Sequence, residues 1–239
     1  NGSTWSALGA GFNSSVTALT TWDSDGAGPI QPWLIAVGNF TRSGTEVRNR
    51  IAAWNGSEWL AIGTDGVGSS VLDVTTWDID GNGPASPSLV IVGHFTAAGA
   101  TSLPRIGVWN GVSWATIGGG SNVVPVSVRA WDPDGSGPAL PHLVVGGSFT
   151  SINGVAANRI AVWDGSVWSP LGTGLAPRPF LSFAEASRLF VSSVGVAPGG
   201  APLLHVGGSF GSAGGVASPF AARWGCEGPT QPAAADLII

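Results

Sequence analysis

Short apolar runs alternate with clusters of Gly, Pro, Asp and Asn along the whole chain. Runs such as Leu89–Val92 and Leu143–Val145 are strand-sized and bounded by turn residues. No segment sustains a helical apolar period between caps, apart from a weak one over Phe183–Phe190. The pattern predicts an all-β chain with few helices.

The runs repeat. Trp5, Trp59, Trp114 and Trp168 recur at a period of about 54 residues. Trp54, Trp109, Trp163 and Trp224 follow the same rhythm, as do Trp22, Trp77 and Trp131. Each repeat reads as four strands, a to d. Strand a covers Val16–Trp22, Val71–Trp77 and Val126–Trp131. Strand b covers Trp33–Phe40, Leu89–Phe95, Leu143–Phe149 and Leu203–Phe210. Strand c covers Arg50–Trp54, Arg105–Trp109, Arg159–Trp163 and Phe220–Trp224. Strand d covers Trp59–Ile62, Trp114–Ile117 and Trp168–Leu171. Asn55-Gly56, Asn110-Gly111 and Asp164-Gly165 join c to d and predict type I′ hairpins.

The sequence opens on TWSALG, a strand d with no strand c before it. Its repeats end on a strand c, Phe220–Trp224, with no strand d after it. Pairing the two would remove two exposed sheet edges. The expected fold is therefore a four-bladed β-propeller closed by its first strand. Its single domain would span 1–226, with blades about 16–63, 71–118, 126–172 and 188–224 plus 4–9. A tail or linker follows at 227–239.

Leu143–Gly147, Val162–Trp163–Asp164 and Trp168 resemble kelch repeats: four hydrophobics, a Gly pair, an aromatic and a later Trp. The fuller unit, with WDxDGxGP turns and a GGSFT strand end, is similar to repeats of secreted planctomycete-type bacterial proteins. Both resemblances imply a propeller, and neither brings a catalytic motif.

Composition narrows the function. Hydrophobic residues reach 44%, yet no run approaches the ~18 residues of a membrane helix. A net charge of −5 and nine scattered Arg argue against nucleic acid. Cys226 stands alone, so an internal disulfide is excluded. There is no initiator Met and no signal-peptide pattern, so the chain reads as a mature product or an excised domain.

Asp23/Asp25, Asp78/Asp80 and Asp132/Asp134 each lie in a D-x-D-G-x-G-P frame. Carboxylates two apart in a Gly-rich turn can face one calcium ion. They can equally cap their own backbone in a plain turn. The fourth repeat has SVGVAPGGAP there and should bind nothing. Arg50, Arg105 and Arg159 open strand c and read as structural donors to carbonyls of their own blade, or to the loop Asp. The Trp sets read as filling between sheets, and Trp33, with no repeat counterpart, as the Trp expected to be exposed. His94, His142 and His205 share no ligand spacing.

The connection after Gly172 is longer than its equivalents and carries Arg178, Phe180, Phe183, Glu185 and Arg188. With Trp33 it forms the expected partner face. These features predict a non-catalytic extracellular binding or scaffold module, presenting propeller loops to a protein or glycan. A structural subunit of a surface layer or filament, joined through the 227–239 tail or blade edges, is the alternative. A propeller enzyme comes third.

Overall fold

The computed structural model describes residues 2, 4–25, 31–81, 86–135, 138–178, 185–192 and 202–225, the side chains of 185–192 excepted. Four related units follow one another. In the first, β1 (Val16–Trp22) and β2 (Trp33–Gly38) lead to a small hairpin, β3 (Arg42–Ser43) and β4 (Glu46–Val47). Then β5 (Ile51–Trp54) and β6 (Trp59–Ala61) complete an antiparallel sheet in the order β1-β2-β5-β6. The second unit runs β7 (Val71–Trp77), β8 (Ser88–Gly93), the strands β9 (Ala97–Ala98) and β10 (Thr101–Ser102), β11 (Ile106–Trp109) and β12 (Trp114–Ala115). The third has β13 (Pro125–Trp131), β14 (His142–Gly147), β15 (Ser151–Ile152), β16 (Val155–Ala156), β17 (Ile160–Trp163) and β18 (Trp168–Pro170).

The fourth unit departs from the pattern. β19 (Leu175–Ala176) precedes β20 (Glu185–Ser192) and β21 (Leu203–Ser209). β22 (Ser212–Ala213) and β23 (Val216–Ala217) join β19, and β24 (Ala221–Trp224) ends the order β20-β21-β24 with three strands. The expected helical tendency over Phe183–Phe190 gives way to β20, whose register on β21 satisfies its backbone. The b–c connections, expected as loops, hold the short strand pairs.

Sequence explains these elements locally. Val, Ile, Leu and Ala fill the central strands, so Ile35–Val37, Leu89–Val92 and Leu143–Val145 are fully buried. The c–d turns are not type I′. Asn55 Oδ1 accepts from the Ser57 and Glu58 amides, and only Gly56 takes positive φ (103°). Asn110 and Asp164 cap their turns in the same way.

Three cores lie between consecutive sheets, and a fourth, Ala36, Phe40, Ala52 and Trp59, lies on the first sheet under Phe12. Ile35 and Ala53 of the first pack with Val74 and Ile91 of the second; Val90 and Ile106 of the second pack with Val128 and Val145 of the third. Val144 and Ile160 then pack with Leu204 and Phe210 of the fourth unit. Three recurring bonds stitch neighbours: Trp22, Trp77 and Trp131 each donate Nε1 to a carbonyl one unit on, those of Pro87, Pro141 and Pro202, at 2.7–2.9 Å. The tryptophans are thus inter-sheet filling and fasteners together.

The propeller is not formed. Among the described residues the strands make eight separate antiparallel sheets, of two, three or four strands, and none closes or curls into a ring. β1, β7, β13 and β20 touch in succession, but no comparable contact returns from β20 to β1. Thr4–Leu8 joins no sheet, and Trp5 is fully exposed at 103%. The residues that follow lie on the first sheet. Trp59 Nε1 donates to the Leu8 carbonyl (3.1 Å), Phe12 stacks on Phe40 (4.0 Å), and the Asn13 side chain bonds Thr41 and Arg42. These contacts hold the segment against the first sheet.

The kelch-like reading, the four-bladed ring and the presentation of propeller loops fall with it. What stands is an all-β row of discrete sheets, whose fold lends no support to a secreted or extracellular placement. Among the described residues no helix is long and apolar enough to cross a membrane.

Candidate functional site

The Asp turns follow β1, β7 and β13. In each, the first Asp caps the turn: Asp23, Asp78 and Asp132 accept through Oδ1 from the amides of Asp25, Asp80 and Asp134 at 3.2–3.3 Å. Asp132 also accepts from Gly135 (3.0 Å). The plain-turn chemistry is therefore present in all three.

The second Asp adds something that a plain turn does not need. Burial pushes the Asp78 carboxyl above its ordinary 3.8, and the facing Asp80 carboxyl raises it further. Asp132 is raised in the same way, by burial first and then by Asp134. Asp134 accepts the Ala139 amide through Oδ2 (3.0 Å), while its Oδ1 is buried without a hydrogen-bond partner. The second and third turns thus each hold two crowded carboxylates, and the third also holds an unmatched buried oxygen. Among the described residues no group of three or more His, Cys, Asp or Glu gathers. A cation here would take its remaining ligands from backbone carbonyls and water.

The other expected site residues are not brought together. Trp33 is half-buried, packs on the first core and meets Trp22 edge-on at 6.4 Å. In the third unit His142 takes the same place against Trp131 (6.3 Å). Arg178 lies over the Phe220 ring at 4.8 Å. Glu185 and Arg188 fall in β20, and Phe180, Phe183, Cys226 and the 227–239 tail lie outside the described residues.

Arg50, Arg105 and Arg159 donate to the carbonyls of Val67, Ser121 and Leu175, in the connection that leaves their own unit. All three sit at φ 64–67°, as does Phe220 at 70°. Their backbone is bound at both ends. The Arg105 amide donates to the Phe95 carbonyl, and the Arg105 carbonyl accepts the Gly93 amide. The left-handed turn is thus held by the sheet, and the side chain fastens the next connection.

The residues not anticipated are Asp73 and Arg129. Asp73 is completely buried on β7 and reaches across to β13. Its Oδ2 accepts Ser127 Oγ (2.7 Å), the Val128 amide (3.0 Å) and Arg129 Nη1 (2.7 Å). The signal was available: a carboxylate and a guanidinium interrupt apolar a-strands of adjacent repeats. Ala18 stands where Asp73 does in the first unit.

A groove of about 780 Å³ runs between the second unit's outer strands and its neighbouring turns, lined by Gly63, Asp65, Gly99, Thr101, Trp109 and Trp114. Trp114 Nε1 is buried there and finds no partner.

No protein-family model, curated protein or solved structure matches the chain, so the resemblance to kelch repeats gains nothing from these comparisons either.

Proposed function

We propose that this chain is a non-catalytic, cation-binding β-repeat module. Each Asp-x-Asp turn after β1, β7 and β13 takes one hard divalent cation, with calcium the natural choice for an all-oxygen site. The observation that carries the reading is the Asp132–Asp134 pair, crowded enough to raise Asp132 and leaving Asp134 Oδ1 buried and unmatched. A cation between the two carboxylates removes their repulsion and supplies the missing partner. Its effect is to tighten the end of each a-strand, next to the Trp that fastens the following unit. The groove walled by Trp109 and Trp114 is where such a module would take a protein or glycan partner.

Thermal melts in millimolar calcium against chelator test the reading. We expect a higher melting temperature with calcium, and loss of most of the gain in Asp80→Asn/Asp134→Asn. Titration calorimetry should show heats that this variant cuts to about a third, the Asp23/Asp25 turn being left intact. Identical melts with and without calcium would retire the assignment.

A further inference from the structure

We propose that copies of this chain associate head to tail, with Thr4–Leu8 of one copy adding as a fourth strand beside β24 of another. Among the described residues β24 has one neighbour, β21, whereas β5, β11 and β17 each have two. In those sheets the outer place belongs to strands that begin on Trp: Trp59-Leu60-Ala61-Ile62-Gly63, Trp114-Ala115-Thr116-Ile117-Gly118 and Trp168-Ser169-Pro170-Leu171-Gly172. Trp5-Ser6-Ala7-Leu8-Gly9 has the same form and no sheet of its own.

The glycine that ends each of these strands says where the segment belongs. Gly63 packs on Trp109 and Trp114 of the next unit, Gly118 on Trp163 and Trp168, and Gly172 on Trp224. Gly9 packs on Trp54 and Trp59 of the first unit. By the same rule, residues 5–8 are the outer strand of a sheet that would precede the first. Among the described residues no strand precedes them to form that sheet.

Apolar side chains are also exposed in the first and last units. Leu19 on β1 is 58% exposed, while Val74 and Val128 at the same strand position are 2% and 0%. In the fourth unit Trp224, which packs back on Gly172 of the third, is 38% exposed beside the unfilled place next to β24, where Trp163, with Trp168 beside it, is 7% exposed. A second copy would cover Leu19 as a neighbouring unit covers Val74 and Val128, and its added strand would cover Trp224 as β18 covers Trp163. Such a contact uses different surfaces on the two partners, so it extends into rows. One fastener is absent from the joint: Ser192 stands where Trp22, Trp77 and Trp131 donate to the next unit. The joint should therefore be reversible.

The register predicts the test. Trp54 faces Trp59 and Ala52 faces Ala61, so Trp224 should face Trp5 and Ala222 should face Ala7 of the second copy. In a Cys226→Ser background, Ala7→Cys and Ala222→Cys chains are prepared separately, mixed and oxidised. A disulfide-linked pair is expected from the mixture and from neither variant alone. No linked pair would overturn the proposal. So would a doubly substituted chain that closes on itself as a covalent monomer at every concentration. Light scattering gives a second readout: the average mass should rise with concentration, and Trp5→Asp should abolish the rise. Trp5 is fully exposed in the single chain, so this substitution leaves its fold intact. A mass that does not change with concentration also overturns the proposal.

Discussion

Asp73→Ala isolates the polar link between the second and third units. Asp73 has no solvent contact, and its Oδ2 is shared by a hydroxyl, an amide and a guanidinium, each at 3.0 Å or less. Removing the carboxylate leaves the Ser127 hydroxyl and the Val128 amide buried without this acceptor. It also leaves Arg129, whose side chain is only 25% exposed, facing an apolar gap. Breaking a buried pair by deleting one partner costs about 3–5 kcal/mol, because the survivor keeps its desolvation cost. Partial exposure of Arg129 places the expected loss near the lower end, about 3 kcal/mol. For a chain of this size that lowers the melting temperature by about 6–12 °C. Urea unfolding at 25 °C, followed by tryptophan fluorescence, gives the free energy directly. Asp73→Ala/Arg129→Met should recover part of the loss, since no charge is then stranded. A loss below about 1 kcal/mol in the single variant would show that the network is not holding the two sheets together.

Two further outcomes follow from the geometry. Arg105→Gly should be less destabilising than Arg105→Ala by about 1 kcal/mol, because both lose the bond to Ser121 but only Gly relieves the left-handed φ of 64°; equal denaturation midpoints would contradict this. The raised Asp78 and Asp132 carboxyls hold their protons more tightly in the folded chain than in the unfolded one. Without calcium, these two groups should therefore lower stability as pH rises from the ordinary 3.8 through their raised values, and restore it on acidification. Asp80→Asn/Asp134→Asn should flatten this part of a pH series of melts.

The local structure was legible because it depends on nearest neighbours in the chain. Short apolar runs gave the strands, and the Trp spacing gave the number of units, whereas the c–d register, Trp54 opposite Trp59, follows from a longer turn than the expected one. The caps of the D-x-D turns were legible as one of two readings, since their bonds reach only two or three residues along the chain; the Asn55, Asn110 and Asp164 caps stand where type I′ turns were expected. The small b–c strand pairs were missed because two-residue strands such as Arg42–Ser43 carry no periodicity. β20 was missed because its weak helical period competes with pairing to β21, which lies far along the chain.

What the sequence by itself determined is the repeating unit: its strands, turn caps and buried tryptophans, all set by short-range chemistry. Whether the units close was decided only in three dimensions. Complementary end strands made a ring the economical reading, but pairing between strands more than 200 residues apart is set by where whole sheets are placed, which no local pattern encodes. Leu8, Phe12 and Asn13 lie on the first sheet, while Trp5 joins none of the described sheets and β24 pairs with β21 alone among the described residues. The Asp73–Arg129 link was fixed at the same level, since only the stacking of two sheets brings residues 56 positions apart within 2.7 Å.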